Sequence, residues 1–362
     1  MTPLRRLIVR AGRTESAVTI GAGAIDRAAE LLASPSGRYF VVAPPGAFLA
    51  ADRIRRALAG HVFGEFALDD QEMGKTLETV SRVADAALAA GVRRDDAVVA
   101  VGGGVTSDVA GFAAAMLLRG VAWNAVPTTT AAMADAAIGG KTGVDHARGK
   151  NLLGAFHPPR AILVDPTVLE SLPDREYRGG LVEALKAAWV ADAPLAARAE
   201  RRMEAVLARR ERDLVSLLTG AIRVKARIVR SDPRDAGMRR LLNFGHTLGH
   251  AFEAAGRYAT LRHGEAVAWG IAAALEISVR RAGLAAADAE RIRRTLARLG
   301  PFPEPERAPD LLLPFLRSDK KATAAGLTGI LLEGIGRARI EPAVPEGEWL
   351  AAATQAHLAP RG

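Results

Sequence analysis

The chain has 362 residues, 49% hydrophobic and 25% charged, the balance of an ordinary globular protein with two domains or one large one. No apolar run approaches the ~18 residues of a membrane span. The basic start, MTPLRRLIVRAGR, lacks an apolar stretch of signal-peptide length, and the absence of cysteine excludes disulfides and thiolate metal ligands. A cytoplasmic location is therefore expected. The net charge of +9 raises the question of nucleic acid. The densest basic stretch, Arg201 to Asp213, interleaves acids at helical spacing and reads as a solvated helix face. With no aromatic-rich basic strand either, neither nucleic acid nor membrane is an expected partner.

Residues 1–101 alternate between strand-like and helix-like runs. RLIVR and SAVTI are short strands, GAIDRAAELLA is a helix, and RYFVVA is a buried strand ending at Pro44-Pro45. FLAADRIRRALAG is a helix, EFALDDQEMGK leads from a strand into a loop, and KTLETVSRVADAALAAG is amphipathic. DDAVVAVGGG closes the series as a strand. Such alternation predicts a parallel sheet with helices on both faces. At Gly102-Gly103-Gly104 the strand runs into a helix starting near Thr106 to Asp108, and glycines there let backbone approach a phosphate at a helix N-terminus. GxGxxG is absent, so a plain strand-to-helix turn is the competing reading. A second junction, VAWNAVPTTTAAMAD, favours a phosphate or dinucleotide crevice at the strand ends.

Gly139 to Pro159 is rich in glycine and polar residues and reads as a loop, costly in backbone entropy unless a ligand orders it. It is not a Walker loop. After a last strand, RAILVDP, alternation stops and helix follows helix. The expected division is an α/β domain at 1–172 and an all-α domain at 173–362. Pro301 to Pro309 forms a proline-rich connector, and the tail after Lys321 has one strand-like piece, LTGILLEGIG, and an extended end.

The helical half carries the most chemistry. His246 and His250, in NFGHTLGH, stack one turn apart on a helix face, a spacing that suits a metal and equally a hydrogen-bonded core pair. His263 opens a second apolar helix, HGEAVAWGIAAALEI. Glu183 lies among Leu181, Val182, Ala184 and Leu185, with Lys186 three residues on. An exposed pair at this spacing would contribute only a few tenths of a kcal/mol, ~0.2–0.5. Apolar neighbours instead favour a buried, paired carboxylate, able to join His246 and His263 in a two-His, one-carboxylate site with an open position. Asn243 shares the face of His246, Arg239 lies one turn further back, and Lys225 sits among Ile222, Val224, Ile228 and Val229.

Only seven lysines occur, against 49 − 7 = 42 arginines: Lys75, Lys141, Lys150, Lys186, Lys225, Lys320 and Lys321. Where surface charge is supplied by arginine, a retained lysine points to a need for a compact ammonium rather than a planar fork.

These segments together resemble the 3-dehydroquinate synthase family of the sugar-phosphate cyclases, from Asp70 to about Lys321. The resemblance rests on DxExxK (Asp70, Glu72, Lys75), GGGVxxDxxGFAA from Gly102, RGV at Arg119 and PTT at Pro127. It continues through GGKTGVxxxxGKNLxGAFxxP, LPxRE, GLxExxK, GxRxLLNxGHTxGHA and HGEAVAxG. All seven lysines fall within the span of this resemblance. The resemblance implies a Rossmann-like NAD-binding domain, a helical metal- and substrate-binding domain, and an active site in the cleft between them.

It further implies Glu183, His246 and His263 as ligands to a divalent metal, zinc or cobalt. NAD would be held by Asp70, Glu72 and Lys75, by Gly103, Gly104, Val105 and Asp108, and by Thr128 and Thr129. Lys141, Lys150, Val168 and Ser171 complete that set. Arg119, Lys141, Asn151, His250 and one of Lys320 or Lys321 would meet the substrate phosphate. Lys225, Arg239 and Asn243 would meet its carboxylate and ring, with Asp135, Lys150 and Lys186 nearby.

The implied reaction converts 3-deoxy-D-arabino-heptulosonate 7-phosphate to 3-dehydroquinate and phosphate, in a homodimer. It runs by transient NAD oxidation, phosphate elimination, re-reduction and aldol closure. Asp235 in place of a usual glutamate, Ser107 in place of a usual glycine, and Thr130-Ala131-Ala132 depart from the family pattern. A sister cyclase making another carbocycle is the first alternative, and a metal- and NAD-dependent polyol dehydrogenase the second. Asn243 and His250 are the positions at which sister cyclases tend to differ, and both side with dehydroquinate synthase.

Overall fold

The computed structural model describes residues 3–147, 149–317, 322–323 and 326–358, so Lys320 and Lys321 lie outside the described residues. It resolves into two compact units, Met1–Pro173 with Arg209–Arg234, and Asp174–Ala208 with Asp235–Gly362.

The first unit is built on nine strands: β1 (Arg5–Ala11), β2 (Thr14–Ile20), β3 (Tyr39–Ala43), β4 (Val62–Ala67), β5 (Ala97–Gly102), β6 (Ala122–Pro127), β7 (Lys141–His146), β8 (Gly149–Phe156) and β9 (Ala161–Val164). Seven form one sheet in the order β1-β2-β9-β6-β5-β3-β4. All neighbours are parallel except β1 and β2, which make an antiparallel hairpin at one edge. Every residue of β5 is buried, the continuous apolar run of a strand covered on both faces. One face packs Val41, Val99, Val101 and Leu163 against Ile25, Ile54 and Leu58. Strand order reverses between β3 and β5, so the carboxyl ends of β3, β5 and β6 open the crevice expected of such sheets.

Two expectations about boundaries need correction. The helix Glu211–Ser231 belongs to the first unit, not to a helical domain spanning 173–362. Its apolar stripe, Leu214, Leu218, Ala221, Ile222 and Ile228, is buried together with Lys225, and the helix packs against β1. Periodicity reveals that a helix buries a stripe, but not which surface receives it. The Gly-rich segment at 139–159 is likewise no loop: β7 and β8 pair antiparallel. Glycines permit the close approach, since a Cβ on Gly154 would lie 2.2 Å from the Thr142 carbonyl oxygen.

The second unit carries the helices Asp174–Ala191, His246–Ala255, His263–Arg281, Ala286–Leu299 and Glu346–Gln355. It also holds a three-stranded antiparallel sheet of β10 (Ala322–Thr323), β11 (Gly326–Gly334) and β12 (Arg337–Val344). The end expected to be extended therefore forms a second long strand and a helix. Trp349 anchors that helix, its ring lying so close to Gly329 that a Cβ there would clash at 2.7 Å. Among the described residues no helix is long and apolar enough to cross a membrane.

Candidate active site

In the second unit three helices converge on a cluster of titratable groups. The helix Asp174–Ala191 supplies Glu183 and Lys186, His246–Ala255 supplies His246 and His250, and His263–Arg281 begins at His263. Glycines set how near they come. A Cβ on Gly264 would fall 2.0 Å from the carbonyl oxygen of Gly179, and one on Gly270 1.9 Å from that of Gly245. Each contact lies within one turn of a site residue, so backbone approach is what brings Glu183, His246 and His263 together. Gly245 also adopts φ +80°, a conformation that glycine takes without strain, as the residue preceding the His246 helix. Gly264→Ala is expected to destabilise the chain by about 1–3 kcal/mol through overpacking. It should also weaken metal binding, because it forces apart the helices carrying Glu183 and His263. Urea midpoints with metal titration check both effects, and unchanged metal binding would separate helix spacing from the site.

One ligand atom from each of Glu183, His246 and His263 lies within 4.8 Å of the others. Glu183 is 3% exposed. Its carboxylate abuts the Lys186 ammonium, yet neither oxygen accepts a hydrogen bond of regular geometry, and Oε1 stands 3.6 Å from His263 Nε2. Buried carboxylate oxygens left in this state suit a cation. His246 Nδ1 lies 3.2 Å from the Phe244 carbonyl oxygen, which leaves Nε2 for a ligand. Burial, with the Lys186 charge adding to it, holds the His246 pKa well below its ordinary value, so the ring is kept in the neutral form that binds metal. The donor set, two imidazoles and a carboxylate, matches zinc with a position left open. His250 is exposed, with its ring centroid 5.2 Å from that of His246 and 6.0 Å from that of His263. Arg239 is buried and Asn243 half-buried on the 3-10 turn Met238–Asn243 that leads into the His246 helix.

In the first unit several of the residues expected to hold NAD lie at or beside the carboxyl ends of β5 and β6. Gly102 pairs with Pro127, and the Thr128 N–H donates to the Gly102 carbonyl at 2.9 Å. Gly103 then faces Thr129, where a Cβ would meet the Thr129 methyl at 3.2 Å. The helix Gly104–Met116 starts two residues earlier than expected and directs its first N–H groups, with Val105 and Asp108, into the same region. Lys75 is buried and donates to Asp108 Oδ2 and to Asn151 Oδ1, both at 2.6 Å. Lys150 pairs with Glu72 at 2.8 Å, and the Asp145 carboxylate accepts from the Asn151 N–H at 2.7 Å. The two lysine contacts fasten the β7–β8 hairpin to the segment Glu72 to Lys75, and the Asp145–Asn151 bond braces the hairpin itself.

Lys225, the buried cation on the Glu211–Ser231 helix, donates to both the carboxylate and the carbonyl of Asp135, at 2.5 and 2.6 Å. Asp135 itself sits on a single turn of π-helix, Ala132–Ala136, an insertion frequent at functional sites. Asp70, Arg119 and Lys141 are exposed, and Arg119 has φ +67°. Ser171 hydrogen-bonds locally to the Val168 carbonyl at 3.2 Å.

Two features escaped the sequence reading. Glu253, buried and 3.3 Å from His263 Nδ1, lies seven residues after His246, a helical spacing that could have flagged it. Glu265, fully buried, accepts Arg175 Nε at 2.6 Å, Arg175 Nη2 at 2.7 Å and the Arg262 N–H at 2.8 Å. It thereby caps the helix that begins at His263 and ties it to the helix of Glu183. Ninety residues separate that pair, and no local pattern announces it.

Comparison with known proteins bears on this arrangement. The profile described as 3-dehydroquinate synthase N-terminal matches residues 65–179, and that described as 3-dehydroquinate synthase C-terminal matches 180–322. A 3-dehydroquinate synthase of Geobacter metallireducens is 44% identical over 74% of this chain and 75% of its own. One from a Synechococcus species is 39% identical over 97% of each chain. Among solved structures, 2-epi-5-epi-valiolone synthase from Streptomyces hygroscopicus subsp. jinggangensis, with NAD+ and Zn2+ bound, superposes with a TM-score of 0.85 at 30% identity, covering 98% of both chains. On matched profiles, identity over nearly its full length and shared architecture, this chain belongs to the 3-dehydroquinate synthase family.

Proposed function

We propose that the chain converts 3-deoxy-D-arabino-heptulosonate 7-phosphate to 3-dehydroquinate and phosphate, a carbon–oxygen lyase reaction that uses NAD and a divalent metal. The observation that carries this is the convergence of Glu183, His246 and His263, with a buried carboxylate that lacks regular hydrogen bonds. These three residues would hold the metal. Gly103 to Asp108, Thr128, Thr129 and the Asp70–Lys75 turn would hold NAD, with Val168 and Ser171 contributing. When bound, NAD accepts and returns a hydride, and the metal acts as a Lewis acid toward the hydroxyl undergoing oxidation.

The protein's own groups do the remaining work. Elimination requires donors fixed on the departing phosphate, and Arg119, Lys141, Asn151 and His250 supply them, with one of Lys320 or Lys321. Arg239, Asn243 and Lys225 bind the carboxylate and ring, and Lys150 and Asp135 flank them. Lys186 balances the charge of Glu183, to which it is paired. The family reaction lets the leaving phosphate assist its own proton removal, so no separate base is assigned. The product and substrate are small molecules, and we place the enzyme in the cytoplasm as a homodimer.

Lys225→Ala is expected to raise KM at least tenfold, about 1.4 kcal/mol of lost binding, while NAD binding is retained. An unchanged KM would reduce Lys225 to a partner that merely holds Asp135. A sister cyclase is the second reading, favoured by the structural likeness to 2-epi-5-epi-valiolone synthase. Identification of the ring product by NMR separates the two: 3-dehydroquinate supports the proposal, and any other carbocycle overturns it. Net NADH accumulation would instead indicate a dehydrogenase.

A further inference from the structure

The two histidines of the triad are held in different ways. His246 is buried, and its Nδ1 meets a backbone carbonyl. His263 is the first residue of its helix, and its side chain is 44% exposed, so packing alone fixes its ring poorly. Its Nε2 faces Glu183 at 3.6 Å, and its Nδ1 lies 3.3 Å from a carboxylate oxygen of Glu253, itself 3% exposed on the His246–Ala255 helix. An imidazole that ligates a metal through one nitrogen needs its other N–H engaged, which sets the tautomer, orients the ring and raises ligand basicity.

We propose that Glu253 is a positioning residue for the metal: it accepts the Nδ1–H of His263 and so presents Nε2 toward Glu183 and His246. This rests on the reading of Glu183, His246 and His263 as the ligand set. Geometry also allows a rival grouping, because His250, Glu253 and His263 can bring one ligand atom each within 4.8 Å of the others. Glu183 distinguishes them. Its oxygens lack regular hydrogen bonds and Oε1 faces His263 Nε2, whereas Glu253 faces Nδ1, the nitrogen that must carry the proton when Nε2 ligates.

The test is Zn2+ affinity of the metal-free full-length chain, measured by competition with a chromophoric chelator, for the unaltered protein and for Glu253→Gln, Glu253→Leu and Glu183→Gln. Loss of the acceptor in Glu253→Leu should raise Kd by about 10–100-fold, the range for outer-shell partners. Glu253→Gln keeps an acceptor oxygen and should show a smaller rise, within about tenfold. Glu183→Gln should exceed both. A side chain that only fills space would be replaced by leucine at no cost, so an unaltered Kd in Glu253→Leu overturns the proposal. Where Glu253→Leu does not fold, an unaltered Kd in Glu253→Met, which also lacks an acceptor oxygen, does the same. Loss of binding in the Glu253 variants with an unaltered Kd in Glu183→Gln would make Glu253 a direct ligand, again overturning it. Failure of the unaltered chain to bind one Zn2+ would instead remove the ligand set beneath it.

Discussion

Glu183→Gln is expected to weaken Zn2+ binding by more than about 100-fold and to stop phosphate release, while the helices stay folded. The magnitude follows from the position of the carboxylate. Outer-shell changes already cost about 10–100-fold in affinity, and Glu183 faces Nε2 of His263, the nitrogen proposed to ligate, directly. Glutamine is the sharper replacement because Glu183 is one half of a buried ion pair. Glu183→Ala would strand the Lys186 ammonium, 1% exposed, at a cost of about 3–5 kcal/mol, and so confuse lost stability with lost ligation. The neutral amide of glutamine retains the volume and a hydrogen-bond acceptor but gives up the negative charge. Metal titration beside far-ultraviolet circular dichroism separates the two effects. Metal content and turnover equal to those of the unaltered chain would end the assignment of Glu183 as a ligand.

Lys75→Met is the second large effect, and it acts on the NAD-binding unit alone. Lys75 is buried, and its ammonium joins Asp108 at the start of the Gly104–Met116 helix to Asn151 on the β7–β8 hairpin. Breaking a buried pair leaves a carboxylate uncompensated, at about 3–5 kcal/mol, and here toward the lower end because Asp108 keeps 19% exposure. NAD affinity should fall at least about tenfold while Zn2+ affinity is unaffected, since the residues proposed as metal ligands belong to the other unit. NAD titration by fluorescence checks the first and chelator competition the second. If both fall together, the variant has unfolded the chain and not merely released the turn. If neither falls, Lys75 is an ordinary structural cation.

Much of this is legible in the sequence, for identifiable reasons. Strand–helix alternation in residues 1–101 encodes a parallel sheet because strands covered on both faces must be apolar throughout, as β5 is. The lysines stood out because arginine supplies the remaining positive charge. Lys75, Lys186 and Lys225 proved to be buried in ion pairs, whereas composition marked them only as positions that need a compact ammonium. What failed to show was long-range. Nothing local in Glu211–Ser231 says that its apolar stripe belongs with β1. The glycines of 139–159 read as loop formers, whereas here they let two strands approach. Gly179 against Gly264 and Gly245 against Gly270 are likewise backbone contacts between distant segments, visible only once the helices are in place. The spacing of His246 and His250 left a metal pair on one helix open, while the apolar neighbours of Glu183 already pointed to His246 and His263, whose candidate ligand atoms lie within 4.8 Å of one another.

The central claim is tested most directly by phosphate release from 3-deoxy-D-arabino-heptulosonate 7-phosphate, measured with and without NAD and with and without a chelator. Release that requires both NAD and metal, with no net NADH, is the result this account predicts. Release that persists in chelated, NAD-free protein, or none from intact protein loaded with both, would contradict it.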